Sequence, residues 1–519
     1  MKRKTPKKAI VIVVLVLLGA SGRAAAQEPF CGVEPDADAA LVASPLLPRD
    51  HWAARALERA HGLGLLPEYH PAQRSVPRAE AVRHLRAASA RAAESDAEIA
   101  ALARAWCERI VEEFPELGAG GGADRGWRAS GVIEVGYVHH EGRAAPGTGY
   151  RPGGRRFSGA VPLADLEGPV FGASVVAVTP GNLGFMAEPT WDDDEFTLST
   201  WTLSVPLGPI GVSIGREPVA YGAAESGAVT LSGIAPIAGV QAFTREPFRL
   251  PGFLRYLGHV SAHTVAGRID EPRHPGAPWF WGAYLALQPH PRLSMAGNRV
   301  AVFGGDSVGV PITPRTLWRL LIGETASSST NSFENQSASV EIRWRPPTER
   351  VIPLLLYVEA GMEDFDVKRG LRDAPGVVAG VSTPAVPFFP QLQLGIERSY
   401  FADACCGNGI WYRHFGQTGG WAVEEGPLGH PLGGHGSQTL VFARADLDEA
   451  RLRLALHAFR RDRGHQNLYA PGREGRSHGA TLKLHWRVGP RTEFSLHAHR
   501  EDGVGWDEQR LETGLSIRY

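Results

Sequence analysis

The chain has 519 residues, with 54 Lys and Arg set against 55 Asp and Glu, for a formal net charge of -1. That balance removes any bulk electrostatic case for nucleic acid as a partner. Its 62 glycines, 39 prolines and 43% hydrophobic content suit many turns between strands in which every second residue is apolar.

The first 26 residues read as a secretory signal. Met1 to Lys8 is basic, Ala9 to Ala20 is apolar, and Ala24-Ala25-Ala26 offers a small-residue cleavage site before Gln27. The apolar core is shorter than the ~20 residues of a membrane helix. No Cys follows it directly, so lipid anchoring is not expected. Export makes disulfides possible. Cys31 and Cys107 both precede the strand region and are expected to pair. Cys405 and Cys406 are adjacent and either form a vicinal bridge or stay as thiols.

Residues 27–126 read as a periplasmic helical domain and its linker. Asp50 is placed to cap HWAARALERAHGLG. RAEAVRHLRAASARAA follows Ser75 and Pro77. Ser95-Asp96-Ala97-Glu98 forms a capping box before IAALARAWCERIVEEF, which Pro115 stops. Ile99, Leu102, Trp106, Ile110 and Val111 recur at helical spacing. Leu117 to Arg125 is Gly-rich but lacks the Lys-Ser/Thr of a phosphate loop, so it reads as a hinge.

From Trp127 to Tyr519 the period changes to two. In Ser339 to Arg345, Ser339, Glu341, Arg343 and Arg345 alternate with Val340, Ile342 and Trp344. Near the end, Arg510, Glu512, Gly514, Ser516 and Arg518 alternate with Leu511, Thr513, Leu515, Ile517 and Tyr519. Gly489-Pro490 makes a tight turn, and a longer loop is expected between the last two strands. One face is greasy and the other carries full charges. A soluble sandwich also alternates. Nearly 400 residues without a linker fit one closed transmembrane barrel better. At about 22 residues per strand and connection, about 18 antiparallel strands fit, and sixteen fit nearly as well.

Candidate sites are sparse. Arg216 and Glu217 end a strand-like run and read as a lumenal or rim ion pair. Asp192-Asp193-Asp194-Glu195 reads as a solvated loop rather than a cation site. His485, His497 and His499 lie on polar faces and need no metal. No metal or other cofactor is called for. Phe401 to His435 is a long loop holding Trp411, Tyr412, His414, Gln417, Trp421 and Glu424. Aromatic faces and polar groups of this kind suit sugar rings, so these six are the candidate polysaccharide contacts.

One ordered set of motifs carries a family resemblance. It runs from Gly215-Arg216-Glu217-Pro218 through Tyr221-Gly222 and Ser226-Gly227-Ala228-Val229-Thr230. It continues with Arg245-Glu246-Pro247-Phe248, Tyr256-Leu257-Gly258 and Asn298-Arg299. It ends with Trp411-Tyr412-Arg413-His414 and Leu428-Gly429-His430-Pro431. The chain resembles the Wzi-type capsule-assembly proteins. Tyr221 stands where that family leads one to expect Trp. The resemblance implies an 18-stranded outer-membrane barrel with a small helical bundle. It implies a lectin that holds capsular polysaccharide and is not an enzyme. The expected partners are polysaccharide and outer-membrane lipid, with the chain a monomer. A general diffusion porin is the alternative, and a polysaccharide-modifying hydrolase a more distant one.

Overall fold

The computed structural model describes residues 31–32, 44–47, 51–71, 76–118, 127–141, 168–191, 196–269, 273–306, 308–324, 333–363, 375–402, 411–414, 416–423, 426–469 and 473–519. Residues 1–30, with the signal segment, lie outside that set. So do Asp50, Ser75, residues 119–126, Asp192 to Glu195, Cys405, Cys406 and Glu424.

Eighteen long strands, from Arg128–Glu141 to Trp506–Arg518, pair antiparallel with their neighbours, and a two-residue strand, Phe248–Arg249, adds to the same sheet. The last strand pairs with the first, Val132 opposite Arg518 and Glu141 opposite Gln509, so the sheet closes on itself. Closure leaves no unpaired edge. The side chains then choose which solvent lies outside. In strand Glu334–Trp344, Ser337, Ser339, Glu341 and Arg343 are at most 3% exposed, while Val340, Ile342 and Trp344 are 55%, 40% and 48% exposed. Burying charge while exposing large apolar groups is costly in water and favourable in a bilayer. Among the described residues no helix is long and apolar enough to cross a membrane. The wall therefore spans the membrane as strands.

The two ends of the barrel differ. At one end the connections are short, as between Val488 and Arg491 or between Asp448 and Arg451. At the other end several are long, including 304–333 and 402–435. The last turn departs from expectation. Only Val504 and Gly505 separate Thr492–Gly503 from Trp506–Arg518, because both strands continue past the alternating stretch. Gly505 supplies the left-handed backbone that this turn requires, with φ +81°.

The helical unit fills the short-turn mouth. Its helices are α1 (Trp52–Gly62), α2 (Arg78–Ala92), α3 (Ala97–Glu113) and the single turn α4 (Pro115–Gly118). Asp96, rather than Ser95, caps α3 by accepting the Glu98 N–H at 2.9 Å. His51 caps α1 through its ring. Leu57, Leu66, Leu85, Trp106 and Ile110 form the unit's core, and a disulfide joins Cys31 to Cys107. Arginines fasten it to the barrel. Arg59 donates to the carbonyls of Pro384 (3.0 Å) and Pro390 (2.8 Å) and to the Asp446 carboxylate. Arg109 reaches Glu493 at 2.6 Å, and Arg345 of the wall donates to the His61 carbonyl at 2.7 Å.

Two predictions follow from this assembly. The closed sheet should migrate as a compact species in dodecyl sulfate until boiled; an unboiled sample running at full chain length would contradict it. Burial pushes the imidazole of His61 down to about 4 and that of His70 down to about 3. Both fall below the unfolded value of about 6.5, so each contributes stability above that pH and loses it as acid drives the ring to charge. The helical unit should thus lose its helical far-ultraviolet circular dichroism between about pH 6.5 and 4 while the strand signal of the wall persists. A helical signal independent of pH would refute this.

Candidate functional site

Two long-end loops fold back inside the wall. The first, 222–230, follows strand Ile210–Tyr221. Its backbone N–H groups are taken by glutamates on the inner wall. Ala223 donates to Glu341 at 3.1 Å, Val229 to Glu359 at 3.1 Å, and Glu225 and Ser226 to Glu397 at 2.7 and 3.0 Å. A buried carboxylate needs donors and a buried turn needs acceptors, so each satisfies the other. Gly222, at φ +94°, makes the turn inward, where a Cβ would lie 2.7 Å from a Glu359 oxygen.

This loop ends its descent on α1. The Glu225 carboxylate meets Arg55 of α1 at 3.2 Å, His457 at 2.8 Å and Arg444 of the wall. Burial opposes its charge, but Arg444, Arg55 and His457 outweigh burial and hold the carboxyl well below the usual range. The helical unit from one end and the loop from the other thus touch in mid-lumen.

The second loop, 402–435, packs on the first. Trp421 Nε1 donates to the Thr230 carbonyl at 2.8 Å, and the Ser232 N–H donates to the Leu428 carbonyl at 2.6 Å. The Tyr412 N–H donates to Glu363 at 2.6 Å, while its hydroxyl accepts the His430 N–H at 2.8 Å and donates to the Val229 carbonyl. Tyr469 stacks on Tyr412 with ring centres 5.4 Å apart, and Phe401 packs edge-on to Trp411. Arg273 clamps the loop from a neighbouring connection, donating to the carbonyls of Gly420 (2.6 Å) and Ala422 (2.7 Å).

The candidate residues therefore separate. Trp411, Tyr412, Gln417 and Trp421 are at most 1% exposed. Their rings and amide face protein, which corrects the expectation that they present open sugar-stacking faces. His414 is partly exposed, and its neighbour Arg413 is exposed. Arg216 and Glu217 do not pair, because successive strand residues point to opposite faces. Arg216 lies on the outer face with Ile214. Glu217 is buried inside and accepts the Leu46 N–H at 3.1 Å, fastening the segment before α1. Tyr221 bonds His263 at 2.7 Å and stacks on Tyr284, so it packs the wall. His485, His497 and His499 have separate nearest partners: Glu493, Glu512 and Thr481. Among the described residues no group of three or more His, Cys, Asp or Glu is placed to hold a metal.

Sequence reasoning missed the cradle of Glu359, Glu363 and Glu397, and it missed Glu225. Their signal was present as acids in inward strand phase or at a loop tip. One contact looks like a nucleophile beside a base: Ser226 Oγ lies 2.8 Å from His430 Nε2. Its proton runs the wrong way. His430 Nδ1 accepts the Leu432 N–H at 3.0 Å, so Nε2 carries the hydrogen and cannot take one from Ser226.

One cavity can be described inside the wall among the described residues. A polar cavity of ≈ 190 Å³ lies beside Trp52, Glu113, Arg453, Lys483, Glu493 and Glu512, below the ~300–1,000 Å³ of common ligand pockets.

A closed strand wall, greasy outside and filled inside by its own loops and an N-terminal helical unit, defines a plugged outer-membrane β-barrel. The chain belongs to the capsule assembly protein Wzi family, whose model matches residues 115–507. It is an outer-membrane barrel of capsule assembly. Among solved structures it is similar to Wzi of Escherichia coli, described as an outer membrane protein involved in group 1 capsule assembly and a carbohydrate-binding β-barrel. The TM-score is 0.69 at 15% identity, over 91% of this chain and 99% of that one. Two Pseudomonas aeruginosa barrels are more distant. OpdL gives a TM-score of 0.43 at 11% identity over 76% of this chain and 98% of its own. OprD gives 0.42 at 10% over 76% and 95%. No curated protein sequence matches the chain.

The filled lumen predicts that purified protein adds no large steady conductance to a planar bilayer. Arg55→Glu, which sets a second carboxylate against Glu225, should introduce intermittent current. A large steady conductance from the unmodified protein would contradict the plug.

Proposed function

We propose that this barrel holds capsular polysaccharide on its long-loop face, which looks out of the cell, while the helical unit lies in the periplasm. The chain acts as a monomer and does not cleave or modify the polymer. Short turns on the periplasmic side and long loops outside are the usual orientation of such barrels. The carrying observation is that three loops are pinned into one platform over a filled lumen. Arg273 clamps 402–435, Thr418 Oγ1 donates to the His274 carbonyl at 3.2 Å, and the Leu468 N–H donates to the Gly433 carbonyl at 3.0 Å. A polymer can rest on such a platform but has no open passage among the described residues.

Arg413, His414, Thr418 and the edge-stacked pair His435–His465, 5.4 Å between ring centres, offer polar contacts on that face. Trp411, Tyr412 and Trp421 act beneath it as the frame that keeps the platform rigid. Pre-ordered donors lose little freedom when a sugar binds. The porin alternative requires a path that the plug occupies.

The expected outcome has two parts. Arg413→Ala with His414→Ala and His465→Ala should weaken binding of purified capsular polysaccharide about tenfold or more, about 1.4 kcal/mol, with heat-modifiable folding retained. Trp411→Ala with Trp421→Ala should weaken retention by loosening the platform, and should also lower the melting temperature, since burial of each ring is worth about 3–5 kcal/mol. Undiminished binding by the folded triple variant would refute the assignment. Progressive shortening of the polymer on incubation would refute the non-catalytic reading.

A further inference from the structure

The long connection 304–333 carries a helix, α5 (Pro314–Ile322), that lies outside the wall. Its sequence specifies it locally. Thr313 and Thr316 form a reciprocal cap, Pro314 takes the first turn, and Gly323 ends the helix with φ +82°. At 100° per residue, Leu320, Leu317, Leu321, Trp318 and Ile322 occupy an apolar arc of roughly 200°. Arg315, Arg319 and Thr316 take the rest. A surface helix usually needs an apolar stripe of only about 100°.

The wall uses about half of that arc. Leu317 and Leu320 pack on Ala301, Phe303, Trp281 and Phe333. Ala301 and Trp281 are cross-strand partners in register, and Arg299 and Gln336 lie on the same outer face. Arg299 donates to the Leu321 carbonyl at 3.1 Å and to Gln336, and so ties the helix to the outside of the wall. The other half is uncovered. Trp318 is 62% exposed, Leu321 52% and Ile322 40%, and Ile312 just before the helix is 44% exposed. α5 contains no acidic residue.

The position is decisive. Ala301 lies eight residues along its strand from Leu293, beside the short-turn end. At ~3.3 Å per residue and a tilt of about 40°, that is a rise of about 20 Å. The lipid-facing band of such barrels is about 25 Å tall. The uncovered side of α5 therefore stands near the top of that band, above the lipid-facing Leu285 and Val340, which register with Gly297 and are 48% and 55% exposed.

The geometry points to α5 as a membrane-interfacial anchor. Trp318, Leu321 and Ile322 enter the acyl layer of the leaflet at the long-loop end, and Arg315 sits among its headgroups. A helix with one apolar and one basic face lies in that interface by burying the first and pairing the second with anionic lipid. The anchor connects to the platform. Gln417 Nε2 donates to the Gly304 carbonyl at 3.2 Å, at the base of the α5 connection. Lipid contact thus steadies the loops that hold polysaccharide, a consequence that rests on the orientation proposed above.

The test uses full-length barrel with Cys405→Ser and Cys406→Ser and the Cys31–Cys107 disulfide intact. Spin labels are placed one at a time at Trp318→Cys, Leu321→Cys, Ile322→Cys, Arg315→Cys and the lipid-facing control Leu285→Cys. Each variant is first checked for heat-modifiable folding. In vesicles of phosphatidylcholine, with or without lipopolysaccharide, labels at 318, 321 and 322 should collide with oxygen severalfold more than with a nickel chelate, as at 285. The label at 315 should show the reverse. Nickel-dominated collisions at 318, 321 and 322 would place the helix in water and overturn the proposal. Protection from both reagents only at high protein density would assign the face to a second copy and also overturn it. This readout is the same whichever way the barrel inserts. Cell-surface labelling of Arg413→Cys with an impermeant maleimide tests orientation separately.

Discussion

The inner-wall glutamates carry the assembly. A strand that faces lipid on one side must place its polar residues on the other, and here that side holds Glu341, Glu359 and Glu397. Buried carboxylates without donors are among the most costly features a fold can hold. Backbone N–H groups of 222–230 meet that need at 2.7–3.1 Å. The wall thereby draws the loop inward, and the inward loop then supplies carbonyls at Val229 and Thr230 on which Tyr412 and Trp421 anchor 402–435.

The same logic runs from the other mouth. Arginines on and around the helical unit cap turn carbonyls and wall carboxylates, and Arg55 meets Glu225. Two plugs of unrelated origin share one buried ion cluster. The platform above inherits its rigidity from this filled interior, and α5 extends it sideways over the outer wall. Filling, platform and outer helix all trace to the sidedness of the strands.

That sidedness was legible in the residues wherever both faces kept their character. Strands such as Glu334–Trp344 and Trp506–Arg518 alternate cleanly, and the closed barrel and its approximate strand number followed. Leu231–Thr244 and Gly376–Thr383 gave no such signal. Their inward residues Ala235, Ile237 and Val378 pack against the apolar loop cluster, so the inner face turned apolar and the alternation faded. The helix Pro314–Ile322 has a period of 3.6 inside a region whose dominant period is two, so alternation does not reveal it.

The sequence shows 402–435 to be long and aromatic, but it does not show which way its rings point. Local sequence records that Trp411, Tyr412 and Trp421 are aromatic. It does not record that Glu363 and the Thr230 and Val229 carbonyls wait inside the wall to receive them. The sequence by itself determined the membrane-spanning class, the N-terminal helices and the place in the chain of the loop that crowns the barrel, because those depend on periodicity and local caps. Only the tertiary structure decided which residues of that loop face water, that Arg216 and Glu217 lie back to back, and that the loop 222–230 meets the helical unit inside the wall. Those outcomes depend on partners far apart in the chain, 191 residues for Trp421 and Thr230 and 387 for Arg59 and Asp446.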